Sequence, residues 1–287
     1  MPSAPSGEAF VADTVALDID GVLIDVRESF RECIRLTVMA VQSSMAVGRP
    51  WHPSQADITM LKRGRGFNDD VHVSIALSAV GAGGRGSSLV EIAAAVEAAG
   101  GGLAGLRAAC PELPRIDGAH VLQLFDRYYW GPAGDGDDRR GLVESEHTLV
   151  ASDLPARLRR GGVECLGLIT GRTPREAEAA LARLGWERSE LAVVVTGDIV
   201  RKPDPRCLDL VVEACRSRTV VYAGDVRDDW ELVQRFRTER GGAVRVRGVL
   251  VGDDAEMAIY RGLGVDATLR SADDLPALLD RWGLASS

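Results

Sequence analysis

The sequence predicts an α/β fold, a Rossmann-like parallel sheet core interrupted by an inserted all-helical domain. Three observations point there. Short β-rich apolar runs alternate with helical segments from about residue 145 onward; one similar run stands far upstream of the others; and the stretch between reads as helical throughout. Alternation of this kind implies βαβ crossovers and a parallel sheet covered by helices on both faces.

The downstream runs are Val163–Ile169, Leu191–Val195, Thr219–Ala223 and Arg247–Val251, each ending in a polar or glycine-bearing turn. Between them, Thr173-Pro174-Arg175-Glu176 is a capping box with proline at the first helical position, and Gly185 supplies the stop. Asp204-Pro205 is expected to open a second helix in the same way. The isolated upstream strand is Thr14–Ile19.

The intervening stretch carries Phe30, Ile34, Val38, Val41 and Met45 at three- and four-residue spacing, which makes one apolar helix face. Val121, Leu124, Phe125 and Tyr128 repeat the pattern near its far end, and the glycine-rich segments 81–86 and 100–102 read as loops. The expected division is a core of residues 1–26 and 142–287 with a helical domain at 27–141. Asp135-Gly136-Asp137-Asp138 belongs to the return linker, since the ligand offsets and closing glutamate of a calcium loop are missing.

Composition narrows the function classes. A formal charge of −8 over 287 residues disfavours a general nucleic-acid surface, although one metal and a few cations can still dominate a single cleft. The five cysteines are odd in number and never spaced as C-x-x-C, so they are expected to be reduced thiols in a cytoplasmic protein without zinc. The first ten residues lack the features of a signal peptide and are expected to form a loose tail. No apolar run is long enough to span a membrane. Among 34 basic residues only Lys62 and Lys202 are lysines, so each is a candidate for a place where guanidinium would not serve.

Four segments carry the chemistry. The first strand finishes in Asp18-Ile19-Asp20-Gly21-Val22, and positions i and i+2 on a strand point the same way. Two adjacent carboxylates at the end where open α/β sheets bind ligands call for a cation or a shared proton. A pair of turn-forming aspartates before Gly21 is the plain alternative. Leu166–Arg172 is an apolar strand ending in Thr170-Gly171 before a capped helix, a place where a hydroxyl and free N–H groups form an anion site. Arg201-Lys202-Pro203-Asp204-Pro205 puts a lysine on a proline-stiffened loop. Val220–Asp229 is another buried strand ending in acid, where Asp225 and Asp229 can flank a hard cation or cap the next helix.

Taken together and in this order, the segments resemble the four motifs of the haloacid dehalogenase superfamily. The helical insertion after the first motif resembles the superfamily's first cap type, that of subfamily I. The tail of that motif, with Gly66-Phe67-Asn68-Asp69-Asp70, is similar to a little-characterised branch of the same class. The resemblance implies that Asp18 attacks phosphorus to form an aspartyl phosphate, while Asp20 acts as general acid and then general base. It further implies that Thr170, Gly171 and Lys202 hold the phosphoryl oxygens. Mg²⁺ would be bound by Asp18, the Asp20 main-chain carbonyl and Asp225, with Asp229 nearby, through water or against Lys202. An acid at position 20 implies a phosphatase or a phosphomutase of the β-phosphoglucomutase type. The partner would be a small phosphorylated metabolite such as a sugar or polyol phosphate.

In the helical domain, Lys62 and Arg65 on a glycine-hinged turn are candidates for a second substrate group, with a solvated loop as the alternative, and Asn68 is the expected helix cap. His52, His72, His120 and His147 share no metal-like spacing, and Tyr128, Tyr129 and Trp130 read as core. A non-catalytic phosphate-binding module is the reading from a different class. Receiver domains share an Asp cluster with Thr and Lys, but lack the helical insertion and the paired acids.

Overall fold

The computed structural model describes residues 9–131 and 140–284. The expected linker run Asp135–Asp138 and residues 1–8 of the expected tail lie outside the described residues. Phe10, by contrast, is anchored: it is buried, its N–H donates to the Trp282 carbonyl at 3.0 Å, and its ring meets Trp282 edge-on. A large apolar side chain next to the first strand is more stable buried than trailing in water.

The chain divides into two compact units, Met1–Asp25 with His147–Ser287, and Val26–Glu146. In the first, six parallel strands form one sheet: β1 (Thr14–Leu17), β4 (Cys165–Ile169), β5 (Val193–Val195), β6 (Thr219–Gly224), β7 (Arg245–Val251) and β8 (Ala267–Leu269). Their order is β5-β4-β1-β6-β7-β8, so β1 lies between the two directions in which the sheet is wound. All of β1 and β6 are buried, as strands covered on both faces must be. A second pairing, β2 (Ile24–Asp25) antiparallel to β3 (His147–Thr148), joins the points where the chain leaves and re-enters this unit.

Among the described residues, six helices accompany the sheet: α7 (Leu154–Arg160), α8 (Pro174–Leu184), α9 (Arg206–Cys215), α10 (Arg227–Arg240), α11 (Asp254–Gly262) and α12 (Leu275–Gly283). The capping box at Thr173 and Glu176 forms, and Gly185 closes α8 in the left-handed conformation at φ +69°. Helix α9 starts one residue later than expected, because Asp204 receives the Arg206 N–H and Pro205 sits before the first helical turn. The thiol expectation is corrected. Cys165 and Cys215 form a disulfide, since the packing of α9 beside β4 sets their Cα atoms 5.7 Å apart, a proximity that 50 residues of separation conceals. Cys33, Cys110 and Cys207 are buried and take no part in a disulfide.

The second unit contains α1 (Phe30–Ser44), α2 (Gln55–Lys62), α3 (Asp70–Ala82), α4 (Leu89–Ala98), α5 (Gly102–Ala109) and α6 (Gly118–Trp130). The Phe30, Ile34, Val38 face of α1 is buried against α3 and α6, with Phe30 stacked on Tyr129 at 4.6 Å. Gly81 falls inside α3 rather than in a loop: a Cβ there would meet the Gln42 side chain at 2.8 Å, so glycine permits the close approach of α1 and α3. Asp69 rather than Asn68 caps α3, accepting from the N–H groups of Val71 and His72; its carboxylate also suits the positive end of the helix. Among the described residues no single helix is long and apolar enough to cross a membrane; the bent pair α4 and α5 matches by length and composition only, and its Leu89, Ile92, Val96 and Leu106 are buried in this unit's core.

Among the described residues of this helical unit, one carboxylate is buried. Glu146, 1% exposed, accepts from the Tyr129 hydroxyl at 2.9 Å and the Ser29 hydroxyl at 3.1 Å. Tyr129→Phe removes a donor from a buried charged acceptor and is expected to cost about 1–3 kcal/mol in urea unfolding; a change below about 0.5 kcal/mol would show that this bond contributes nothing.

Candidate active site at the carboxyl end of the sheet

Strand β1 ends at Leu17, and the Asp18 N–H still donates to the Ala223 carbonyl of β6 at 2.9 Å. Asp18 is therefore the first residue beyond the strand, fixed at the topological switch point of the sheet. The chain then reverses: the Ile19 carbonyl accepts from the N–H groups of Val22, Leu23 and Ile24, and Gly21 adopts φ +71°. A Cβ on Gly21 would meet Asp225 Oδ2 at 2.0 Å, so both the backbone conformation and the space require glycine.

Lys202, from the loop after β5, donates to Asp18 Oδ2 at 2.6 Å and lies 2.8 Å from Asp229 Oδ1, its side chain only 3% exposed. Burial opposes its charge, but the flanking carboxylates of Asp18 and Asp229 outweigh burial and hold the ammonium protonated. Asp18 shows the opposite balance. Burial pushes its carboxyl up to about 7 against the pull of Lys202, with the charges of Asp229 and Asp20 adding to the rise. Asp225 is likewise pushed well above the usual carboxylate range, by burial and by its neighbours Asp18 and Asp229.

Asp229 has a different character. Oδ1 accepts from the Tyr222 hydroxyl at 2.6 Å besides Lys202, and Oδ2 accepts from the N–H groups of Asp225 and Val226, both at 3.0 Å. Four donors occupy the lone pairs of one fully buried carboxylate. Asp229 thus caps α10 and anchors the lysine. Tyr222 is a site residue that the sequence reading missed; its signal is a hydroxyl in the middle of an otherwise apolar buried strand.

The second loop completes the group. Thr170 follows β4, the neighbour of β1; it is 2% exposed and its hydroxyl accepts from the Arg172 N–H at 3.2 Å. Gly171 is exposed, with nothing within 4 Å of a Cβ placed there. The Arg172 side chain is wholly buried, and its Nε donates to Asp20 Oδ1 at 2.7 Å. Arg172 was also missed, although it directly follows the Thr-Gly turn. Asp18, Asp225 and Asp229 each bring a carboxylate oxygen within 4.8 Å of the others'. Asp229 is already saturated by its four donors, so within this oxygen-only group Asp18 and Asp225 are the residues that fit a hard divalent cation.

Lys62 and Arg65 belong to the helical unit. Lys62 pairs with Asp70 at 2.6 Å. Around Arg65 the turn is held by its backbone, the N–H donating to Glu97 and the carbonyl accepting from Gly102.

Residues 12–231 match the family model of haloacid dehalogenase-like hydrolases. Phosphatase Tt82 from Thermococcus thioreducens is similar in structure, with a TM-score of 0.70 at 28% identity over 93% of this chain and 99% of that one. CbbY from Rhodobacter sphaeroides in complex with phosphate gives 0.56 at 15% identity, covering 94% of this chain and 99% of its own. A HAD family hydrolase from Deinococcus radiodurans with bound phosphate and sodium gives 0.54 at 17%, covering 97% and 99%; these last two are alike in fold. No curated protein matches the chain. With the match spanning the paired acids of the first loop, the lysine of the third and the aspartates of the fourth, the chain belongs to the haloacid dehalogenase-like hydrolase family.

Proposed function

We propose that the protein is a Mg²⁺-dependent phosphatase that hydrolyses a small phosphorylated metabolite, such as a sugar or polyol phosphate, through an aspartyl phosphate on Asp18. The observation that carries this reading is the setting of Asp18: a buried carboxylate at the end of β1, held by Lys202 at 2.6 Å beside the carboxylate of Asp225. The likeness to a phosphatase at 28% identity supports the substrate class.

In the first half-reaction a carboxylate oxygen of Asp18 forms a bond to phosphorus as the bond from phosphorus to the alkoxy oxygen breaks. The leaving oxygen keeps the electron pair and takes a proton from the carboxyl of Asp20. In the second, water attacks the same phosphorus and gives a proton to the Asp20 carboxylate, releasing inorganic phosphate and free Asp18. Lys202, the Gly171 N–H and Thr170 hold the equatorial oxygens during both displacements. Asp18, the Asp20 main-chain carbonyl and Asp225 would hold Mg²⁺, with Asp229 set against Lys202. Bound there, the cation would supply positive charge against the phosphoryl oxygens and would relieve the repulsion between Asp18 and Asp225. The helical segment 27–141 is assigned as a specificity cap on the core, 1–26 and 142–287, with Lys62 and Arg65 as its candidate substrate contacts.

Wild type is expected to release free phosphate from members of a sugar and polyol phosphate panel with Mg²⁺, and Asp18→Asn to release none. Retained turnover in the variant would require another nucleophile, and phosphoryl transfer to a second hydroxyl without phosphate release would mark a mutase. Gly21→Ala forces Asp225 aside and is expected to raise the Mg²⁺ concentration for half-maximal activity about tenfold or more; an unchanged requirement would remove Asp225 from the metal site.

A linkage prediction follows from Asp18, whose carboxyl rises from 3.8 to about 7 on folding. The folded state then binds more protons than the unfolded state between these values, so metal-free stability falls as pH rises across that window. With a chelator present, the Tm of wild type is expected to decline from pH 4 to 7 more steeply than that of Asp18→Asn. Parallel curves would contradict the assigned burden on Asp18.

A further inference from the structure

The fully buried guanidinium of Arg172 has no role in the chemistry described so far. Burying a charge is costly unless it is paired, and replacing a purely structural buried ion pair with apolar side chains is often neutral or stabilising. Its described partner is the acid of the proposed mechanism: Nε donates to Asp20 Oδ1 at 2.7 Å. Asp20 itself is 29% exposed, and no hydrogen bond to its other oxygen, Oδ2, is found among the described residues. One oxygen of Asp20 is therefore held by the buried arginine, while the other carries no such bond among the described residues and the side chain stays partly open to solvent.

The arginine is in turn held at several points. Its N–H donates to the Thr170 hydroxyl at 3.2 Å, its carbonyl accepts from the Gly197 N–H at 3.0 Å, and Nη1 donates to the Glu176 carbonyl at 3.3 Å. Glu176 is fixed by its capping box with Thr173 at the start of α8. A rigid path thus runs from the first turn of α8 through Arg172 to the Asp20 carboxylate. With no exposed surface on its side chain, Arg172 is not placed to bind a phosphoryl oxygen directly.

We propose that Arg172 is a positioning residue that orients the Asp20 carboxyl for proton transfer to the leaving oxygen. The inference rests on the phosphatase reading given above. Its consequence depends on the leaving group. An alkoxide leaves only with a proton, whereas p-nitrophenolate leaves without one, so a misplaced acid penalises alkyl phosphates selectively.

The test compares kcat/KM, which reports the first phosphoryl transfer, for p-nitrophenyl phosphate and for the alkyl phosphate that wild type hydrolyses fastest. Arg172→Met is expected to lower the alkyl value about 10- to 100-fold, within the range of general acid catalysis, and the aryl value less than about threefold. Arg172→Lys, which keeps the charge without the planar fork, is expected to fall between and carries the same comparison should the methionine variant fold poorly. In an Asp20→Ala background, either substitution at Arg172 is expected to cause no further loss on the alkyl substrate. Equal losses on both substrates, or additive losses in the double variant, would overturn the positioning role. Failure of wild type to release phosphate from any substrate would instead overturn the phosphatase reading, and this proposal with it.

Discussion

The site depends on one buried contact, the ammonium of Lys202 between the carboxylates of Asp18 and Asp229. Without that cation, Asp18, Asp225 and Asp229 would crowd like charges into a volume from which water is largely removed, at a cost of several kcal/mol per ion. Four hydrogen bonds to Asp229, including the one from Tyr222 beneath it, fix the lysine from one side. Asp18 is then the member of the pair left with something to do. Its carboxyl is pushed up to about 7 by burial, and the same burial leaves its oxygens with weak hydration and a strong preference for a cation or an electrophile.

The sheet makes this concentration of charge possible. Because β1 lies between β4 and β6, its carboxyl end receives side chains from the loops on both sides, as ligand sites in doubly wound sheets do. The reversal at Gly21 brings Asp20 back beside the end of β4, where Arg172 meets it, and leaves room for Asp225 from the end of β6. The small β2–β3 pairing matters for the same reason. It ties Asp25 to His147, the residues at which the chain leaves and re-enters the sheet unit.

Much of this was legible in the residues. Apolar runs ending in polar turns located five of the six parallel strands to within a few residues, and the capping box at Thr173 gave α8 directly. Strand β8 escaped notice because three residues at a sheet edge carry almost no periodic signal. The β2–β3 pairing escaped because it joins residues far apart in sequence, and so did the Cys165–Cys215 disulfide. Asp18, Asp20 and Asp225 stood out because ionisable groups at the ends of buried strands need a reason to be there, and Lys202 because the chain has only one other lysine. Arg172 and Tyr222 did not, since an arginine in an arginine-rich chain and a tyrosine in a strand look ordinary until their partners are known. What they touch is a property of the fold and not of local pattern.

The central claim, that the Asp18 carboxylate becomes the phosphoryl carrier, is tested most directly by trapping the acyl phosphate. Enzyme mixed with substrate and Mg²⁺, quenched and reduced with borohydride, converts a phosphorylated aspartate to homoserine, which peptide mass spectrometry locates. The account predicts homoserine at position 18 alone, dependent on both substrate and Mg²⁺. Homoserine at another aspartate, or none from an enzyme that is releasing phosphate, would contradict it.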